Sequence, residues 1–267
     1  MKNIYNEILE LNRGKGAGVL VTVVLKTGSG PVGSGARMLV YPDGSILGTV
    51  GGGTIEKLAI EKARNIYKTH ENCLEEFTMS ESASDGTPTG MLCGGTATLF
   101  FEYFAPKNHL YIFGAGHVGK ALVYHLRNLD YFVTVIDDRK EVLEKISGAD
   151  KKRLRSFETA LSDKDVVENS YIIIATYKHK YDSLILKRIY KSDWNPKYIG
   201  MVSSRRKQEI ILNDLKSEVK NANMELCFIP VGLDIGGSSP DEIALSIIAE
   251  IQAVRYGKSG GYLRDKN

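Results

Sequence analysis

Cysteine and histidine are scarce in this sequence, and neither follows the pattern of a disulfide framework or a metal site. The chain has three cysteines, Cys73, Cys93 and Cys227, without a CxxC pair, so neither linked disulfides nor a zinc site is indicated. The five histidines are scattered and include no HxxxH pair, and we therefore expect no metal ion. Isolated cysteines fit a reducing compartment, which predicts a cytoplasmic protein.

Long apolar runs and a strong charge imbalance are also absent. Residues 1–12 alternate charged and apolar side chains, and the apolar runs elsewhere have the length of strands, which predicts neither a signal peptide nor a membrane span. The net charge of +3 comes from 35 basic and 32 acidic residues spread along the chain. Nucleic-acid binding needs a clustered basic face, so we expect a small-molecule ligand and no nucleic-acid partner.

The first part of the chain is rich in strand-forming residues. Residues 19–25 and 96–104 are β-branched and aromatic runs, and Pro42-Asp43-Gly44 predicts a hairpin turn between two short strands. One helix is predicted from Thr54, as its N-cap, to about Lys68. We therefore predict a small β-rich α+β domain over residues 1–105.

From residue 109 onward, strands and helices alternate. Strand-like runs at 110–113, 132–136, 171–175 and 198–202 are each followed by a helical pattern, at 118–129, around Val142, at 183–191 and at 205–219. This order predicts an α/β domain over residues 109–267, with a doubly wound, Rossmann-like parallel sheet. Its last helix has an explicit start, because Ser239, Pro240 and Glu242 form a capping box with proline at the first helical position.

The motif Gly114-Ala115-Gly116-His117-Val118-Gly119 lies where the first strand of this second domain meets its first helix. In that context the glycines predict a tight turn whose amides and helix N-terminus bind a pyrophosphate, and a purely structural turn is the alternative. Asp137 ends the next strand, where an acid accepts hydrogen bonds from an adenosine ribose, whereas Arg139 is suited to a 2′-phosphate. NAD and NADP therefore both stay open. His117 either faces the ligand phosphate or packs at the start of the helix.

A second glycine-rich region lies in the N-terminal domain. The triple glycine Gly51-Gly52-Gly53 precedes a helix, so its amides are predicted to surround an anion, with Arg37 as the counter-charge. Tight loops in a small β-rich domain are the alternative explanation. Cys93 is followed by two glycines and is a candidate catalytic thiol, although a lone cysteine is more often a small buried apolar residue.

Two further segments are candidates for contact with a ligand. Thr176, His179 and Asp182 follow the strand at 171–175, at the end where α/β sheets place ligand-contacting side chains. The glycine-rich loop at 232–239 either closes over the same cleft or is only a well-formed entry to the last helix.

Taken in order, these motifs resemble the xanthine dehydrogenase accessory factor family, XdhC/CoxI. The resemblance covers most of the chain and is carried by Gly28-Ser29-x-Pro31 with Gly35-Ala36-Arg37-Met38, Gly51-Gly52-Gly53 with Glu56, Cys93-Gly94-Gly95, Gly114-Ala115-Gly116-His117-Val118, Asp137-Asp138-Arg139, Tyr198-Ile199-Gly200 with Ser204-Arg205, and Gly232-Leu233-Asp234-Ile235-Gly236 with Pro240. It implies a small N-terminal domain joined to a Rossmann domain. It also implies a factor that binds the molybdenum cofactor, protects it, assists its sulfuration and inserts it into a molybdenum hydroxylase. A cysteine desulfurase and a second copy of the chain are further candidate partners.

Four positions depart from the usual pattern of that family. Thr54 replaces a cysteine after the three glycines, Val32 replaces an arginine, Tyr177 a histidine and Ser203 a glycine. Cys93 is therefore the cysteine that remains within the motifs.

Three functions follow from these observations. The leading prediction is a cofactor-binding chaperone rather than a turnover enzyme, in which glycine-rich loops of both domains line a cleft for molybdopterin, with NAD(P) as a second candidate ligand. The first alternative is an NAD(P)-dependent oxidoreductase with His117 or His179 as proton donor. The second is a nucleotide-sensing module without turnover.

Overall fold

The computed structural model describes residues 3–13, 16–28, 33–78, 87–88, 95–159, 168–192, 194–219 and 223–265. The chain divides into two compact units, Met1–Lys107 and Asn108–Asn267. Among the described residues, none of the helices combines the length and the apolar character that crossing a bilayer requires.

The N-terminal unit is built on a six-stranded sheet. Its strands are β1 (Gly18–Gly28), β2 (Arg37–Val40), β3 (Ile46–Gly48), β4 (Cys73–Thr78), β5 (Thr87–Pro88) and β6 (Gly95–Phe104), and their spatial order is β3-β2-β1-β6-β4-β5. Neighbouring strands pair antiparallel, apart from β4 and β5, which pair parallel. The predicted hairpin joins β2 to β3, and the amide of Gly44 closes its turn on the carbonyl of Tyr41 at 2.9 Å.

Two helices cover opposite faces of this sheet. α2 (Gly53–Thr69) packs its apolar side on the face that carries Val19 and Val21. α1 (Ile4–Asn12) covers the other face, where Leu11 packs with Leu20. The two faces follow from the alternation of side chains along β1, since successive residues of a strand point to opposite sides. The sequence reading missed α1, which has only nine residues and mixes charged with apolar positions.

The C-terminal unit is a doubly wound α/β domain, as predicted. Its strands are β7 (Asn108–Phe113), β8 (Tyr131–Asp137), β9 (Lys151–Leu154), β10 (Tyr171–Ile174), β11 (Tyr198–Met201) and β12 (Cys227–Phe228), all parallel, in the order β12-β11-β10-β7-β8-β9. Its helices are α3 (His117–Leu126), α4 (Lys140–Glu144), α5 (His179–Lys191), α6 (Arg205–Glu218) and α7 (Pro240–Arg255). The order of the strands reverses between β7 and β10, which creates a crevice at their carboxyl ends.

Helices on both faces of the parallel sheet enclose two apolar layers. α3 and α7 pack over one face, where Leu110 and Ile112 of β7 are buried, and α5 and α6 pack over the other, where Tyr111 and Phe113 are buried. All four residues of β10 are buried, as is typical of a central parallel strand. The predicted capping box of α7 is confirmed, because Ser239 and Glu242 exchange side-chain-to-amide hydrogen bonds at 3.3 and 2.9 Å.

Candidate ligand-binding site

A cavity of about 960 Å³ lies in the C-terminal unit, at the carboxyl ends of its central strands. Its walls come from the turn between β7 and α3, from the segment that begins at Arg139, and from the residues that follow β10 and β11. This is the crevice where open α/β sheets bind ligands. The site therefore arises from the strand order rather than from any one motif.

The three glycines of the first turn have different roles. Gly114 has a φ of +117°, and a Cβ atom there would lie 2.1 Å from the carbonyl oxygen of Ala175. A Cβ at Gly119 would lie 2.0 Å from the carbonyl oxygen of Gly114, so both glycines permit close backbone packing. A Cβ at Gly116 would meet nothing within 4 Å, and Gly116 faces the cavity.

The N-terminus of α3 opens into this cavity. Gly116 is the N-cap of α3 and supplies no side-chain hydrogen bond. The first amides of a helix have no partner within the helix, and together with the helix dipole they favour an anion. His117 is exposed and borders the cavity, and its contact with a ligand phosphate stays a prediction.

Basic side chains dominate the polar lining of the cavity. The nitrogen-bearing side chains on its wall are His117, Lys120, Arg139, Lys145, Lys178 and His179. Among the described residues of the wall there is one acid, Asp182, which is only 3% exposed. The resulting positive potential attracts negatively charged ligands.

Asp137 and Arg139 were predicted as alternative ligand contacts, but the structure pairs them with each other. The Nε and Nη2 atoms of Arg139 donate to Oδ1 and Oδ2 of Asp137, both at 2.9 Å. The amides of Arg139 and Ala115 fill the remaining positions at 2.9 and 2.7 Å. Burial opposes ionisation of Asp137, but these hydrogen bonds outweigh it and lower its pKa. Asp137 is completely buried, so the ribose contact predicted for it is not supported.

Arg139 also packs on an aromatic ring. Its guanidinium carbon lies 4.0 Å from the ring centroid of Tyr177, in a cation–π arrangement. The hydroxyl of Tyr177 donates to Oδ2 of Asp138 at 3.0 Å, which fixes the ring. Arg139 and Tyr177 both border the cavity, so they form a flat, charged wall.

The candidates after β10 are brought together in one hydrogen-bonded group. α5 begins at His179, four residues before the predicted start at Ser183, so His179 and Asp182 share its first turn. Nδ1 of His179 lies 3.4 Å from Oδ2 of Asp182, and Oδ1 of Asp182 accepts from the hydroxyl and the amide of Thr176 at 2.6 and 3.1 Å. Burial raises the pKa of Asp182, and the hydrogen bonds from Thr176 work against that shift. Nε2 of His179 contacts Nζ of Lys207.

The triple glycine before α2 is already filled by a side chain of the same unit. α2 begins at Gly53 with Gly52 as its N-cap, so the prediction that Thr54 caps this helix is wrong. Gly52 has a φ of +71°, which glycine adopts readily and which lets the helix start earlier. Oε1 of Glu56 accepts from the amide of Gly52 at 2.8 Å and from the hydroxyl of Thr49. The place predicted for an anion therefore holds the carboxylate of Glu56.

Arg37 was predicted to balance an anion at that triple glycine. The structure instead turns its guanidinium toward α1, where Nη1 donates to the hydroxyl of Tyr5 at 2.7 Å. The guanidinium carbon lies 5.5 Å from the centroid of the same ring. Arg37 is thus engaged with the first helix of its own unit.

The loop before α7 forms the well-defined helix entry that the sequence predicts. Glu242 accepts hydrogen bonds from the amides of Ser238 and Ser239 at 3.0 and 2.9 Å, so the chain caps itself there.

Cys93 lies outside the described residues, and its role as a reactive thiol stays a prediction.

Comparison with known proteins agrees with this two-unit architecture. Residues 110–251 match the model of the XdhC Rossmann domain, and residues 12–78 match the model of the XdhC and CoxI family. The chain belongs to the XdhC/CoxI family.

Two curated relatives of this XdhC/CoxI protein are longer than the chain. It is 30% identical to the uncharacterized protein YqeB of Escherichia coli strain K12, over 98% of this chain and 48% of that protein. It is 28% identical to a probable xanthine dehydrogenase subunit of Bacillus subtilis strain 168, over 60% of this chain and 47% of that protein. The chain thus spans about half the length of the curated relatives it matches.

A solved structure is similar to this chain over most of its length. A chain described as a xanthine dehydrogenase from Bacillus halodurans is similar with a TM-score of 0.52 and 21% identity. The similarity covers 96% of this chain and 97% of that one.

Several residues of the XdhC/CoxI cavity were missed from the sequence. The cavity-lining lysines Lys120, Lys145 and Lys178 lie beside motif residues or at the end of a helix or strand. In the sequence, a lysine at such a position cannot be distinguished from an ordinary solvent-exposed lysine. Lys207 reaches His179 only because β10 and β11 are neighbours, across a separation of 28 residues. Periodicity along the chain carries no signal for such a contact.

Proposed function

We propose that this protein is an accessory factor in the maturation of a molybdenum hydroxylase of the xanthine dehydrogenase type. We further propose that its C-terminal cavity holds the phosphorylated end of the molybdenum cofactor. One observation carries the second statement: a cavity of about 960 Å³ whose charged lining is mostly basic and into which a helix N-terminus opens. The first statement is supported by membership of the XdhC/CoxI family.

The residues of the cavity fit a phosphorylated pterin. The amides at the start of α3 and the ammonium group of Lys120 suit a phosphate or pyrophosphate. Val118, Val142 and Ile146 offer apolar surface to a flat ring system on the same wall. The bound group would bring the metal centre that the client enzyme uses. This chain would bind the group, orient it and neutralise its charge until transfer.

Sulfuration belongs to the same proposal, with a cysteine desulfurase that carries a persulfide as the sulfur source. The thiolate of Cys93 would attack the outer sulfur of that persulfide, so that a persulfide forms on Cys93 while the S–S bond of the desulfurase breaks and its cysteine leaves as a thiolate. Sulfur relay needs a thiolate, and the two described cysteines are poorly suited to that role. Burial raises the pKa of Cys73, and it raises the pKa of Cys227 to about 11. Cys93 is therefore the cysteine to test.

The experiment is production of the protein in a host with an intact pterin pathway, followed by mass spectrometry of the small molecules that co-purify. The same protein is then mixed with a molybdenum hydroxylase purified without its cofactor. We expect a molybdopterin species to co-purify and the hydroxylase to gain activity. Absence of both results would reject the proposal.

An NAD(P)-dependent oxidoreductase is the second candidate, because His179 and Asp182 form an oriented imidazole–carboxylate pair on the wall of a Rossmann crevice. A substrate panel monitored for hydride transfer tests this candidate. Turnover that His179→Ala abolishes would favour the oxidoreductase over the accessory factor. Nucleotide binding without turnover would remove it.

A further inference from the structure

We propose that the cavity accepts an adenine nucleotide whose ribose carries a 2′-phosphate and that it disfavours a ribose with both hydroxyls free. The inference rests on the phosphate site proposed at the start of α3, and it concerns the second candidate ligand, NAD(P), rather than the molybdenum cofactor. It is carried by the pairing of Asp137 with Arg139 and by the position of Arg139 on the cavity wall.

The acid that would recognise a free ribose has no acceptor capacity left. An ionised carboxylate offers about four lone-pair positions. At Asp137 these are taken by Nε, Nη2 and the amide of Arg139 and by the amide of Ala115. A ribose hydroxyl has to donate to this carboxylate to be recognised in the usual NAD mode. It can do so here only by displacing Arg139.

Arg139, by contrast, keeps donors for a ligand. Its Nη1 group donates to none of the described residues, whereas Nε and Nη2 hold Asp137. The side chain is 34% exposed and borders the cavity. The pair with Asp137 and the ring of Tyr177 hold the guanidinium plane in place, so little entropy is lost when it binds an anion. A guanidinium held in this way matches the geometry of a phosphate group.

The surroundings of Arg139 also suit a 2′-phosphate. Lys145 and Lys178 border the same cavity and add positive charge. Asp138 is close in sequence, but one of its carboxylate oxygens is held by the hydroxyl of Tyr177 and it does not line the cavity. A 2′-phosphate would therefore meet cations on the wall rather than an open carboxylate.

The test compares matched ligand pairs by isothermal titration calorimetry: NADP⁺ against NAD⁺, and 2′,5′-ADP against 5′-ADP. We expect the 2′-phosphorylated member of each pair to bind about tenfold more tightly or better, which corresponds to ~1.4 kcal/mol. This comparison uses the unmodified protein, so it does not depend on whether a variant folds.

The variant Arg139→Gln sharpens the test. It removes the cation and leaves the Asp137 carboxylate open to ribose hydroxyls, so the preference should invert toward NAD⁺ and 5′-ADP. Arg127→Gln is the matched control, since Arg127 lies 4.1 Å over the ring of Tyr124 and is not part of the cavity wall. The control should keep the preference of the unmodified protein. Circular dichroism establishes that both variants are folded before titration.

Three results would overturn the inference: equal affinity within each ligand pair, a preference for NAD⁺, or no binding of any nucleotide. If none of these nucleotides binds but a molybdopterin species co-purifies and the hydroxylase is activated, the accessory function stands and only the ligand class is wrong. If nucleotides bind with the expected preference but no hydroxylase is activated, the ligand class stands and the accessory function fails.

Discussion

The middle glycine of the Gly114–Gly119 turn offers a clean way to separate binding from folding. At Gly116 a Cβ atom would meet nothing within 4 Å, and the backbone has φ −68° and ψ −166°, which any residue can adopt. The substitution Gly116→Val places two methyl groups in the cavity, in front of the first amides of α3. We expect it to exclude a phosphate from that position and to leave the fold intact.

The stability cost of Gly116→Val is small. Valine is a poorer N-cap than glycine by about 1 kcal/mol, which lowers the melting temperature of a domain of this size by about 2–4 °C. Gly114→Ala is the contrasting variant, because its Cβ would lie 2.1 Å from the carbonyl oxygen of Ala175 and its φ is +117°. Overpacking and backbone strain there should cost about 3 kcal/mol or more.

The assay combines thermal unfolding with titration of inorganic pyrophosphate and NADP⁺. Gly116→Val should unfold within a few degrees of the unmodified protein and lose measurable affinity for both ligands. Gly114→Ala should unfold at a clearly lower temperature. The assignment of the α3 N-terminus as a phosphate site is refuted if Gly116→Val retains full affinity. The stability argument is refuted if Gly116→Val unfolds at a lower temperature than Gly114→Ala.

Three further predictions follow from the described contacts. Burial raises the folded-state pKa of Asp182, so ionisation of this carboxyl destabilises the fold as pH rises through that pKa. In urea unfolding, Asp182→Asn should therefore be more stable than the unmodified protein near neutral pH and should lose this advantage in acid. A gain in stability that is independent of pH would contradict the reasoning. Glu56→Ala removes the carboxylate that accepts from the amide of Gly52 and should lower the stability of the N-terminal unit by about 1 kcal/mol. Urea unfolding measures this loss, with Glu61→Ala, later in the same helix, as the control. Equal losses of stability in the two variants would show that Glu56 does not cap the helix. Cys93→Ser should impair activation of a client hydroxylase while Cys73→Ser does not, and unchanged activation by Cys93→Ser would reduce Cys93 to a packing residue.

Local patterns in the sequence were sufficient for most of the fold. The alternation of apolar strands and helical segments predicted the Rossmann-like domain, because each element carries its own periodicity of burial. The capping box at Ser239 was predicted to the residue, since all its parts lie within one helical turn. Five elements were missed, namely α1, β4, β5, β9 and β12. Strands β5, β9 and β12 have four or fewer residues, and α1 and the six-residue β4 mix charged with apolar positions, so all five carry too little periodicity.

The candidate site was predicted less completely. Gly116, His117, Arg139 and His179 do border one cavity, because parallel strands end at the same edge of their sheet. The role of Asp137 was not anticipated. The sequence shows that an acid ends β8, but not that the guanidinium of Arg139 donates hydrogen bonds to both oxygens of its carboxylate. The triple glycine at 51–53 was read as an open anion site, although Glu56 occupies it.

The sequence by itself determined the class of the two units, the family and the glycine turn before α3, since all of these rest on residues near one another in the chain. Apart from the capping box at Ser239 and Glu242, only the tertiary structure decided which amides and charges remain free for a ligand. That question depends on which side chain reaches which partner first. The carboxylates of Glu56 and Glu242 close two glycine-rich helix entrances and Asp137 is closed by Arg139, while the entrance at Gly116 stays open beside a wall of basic side chains.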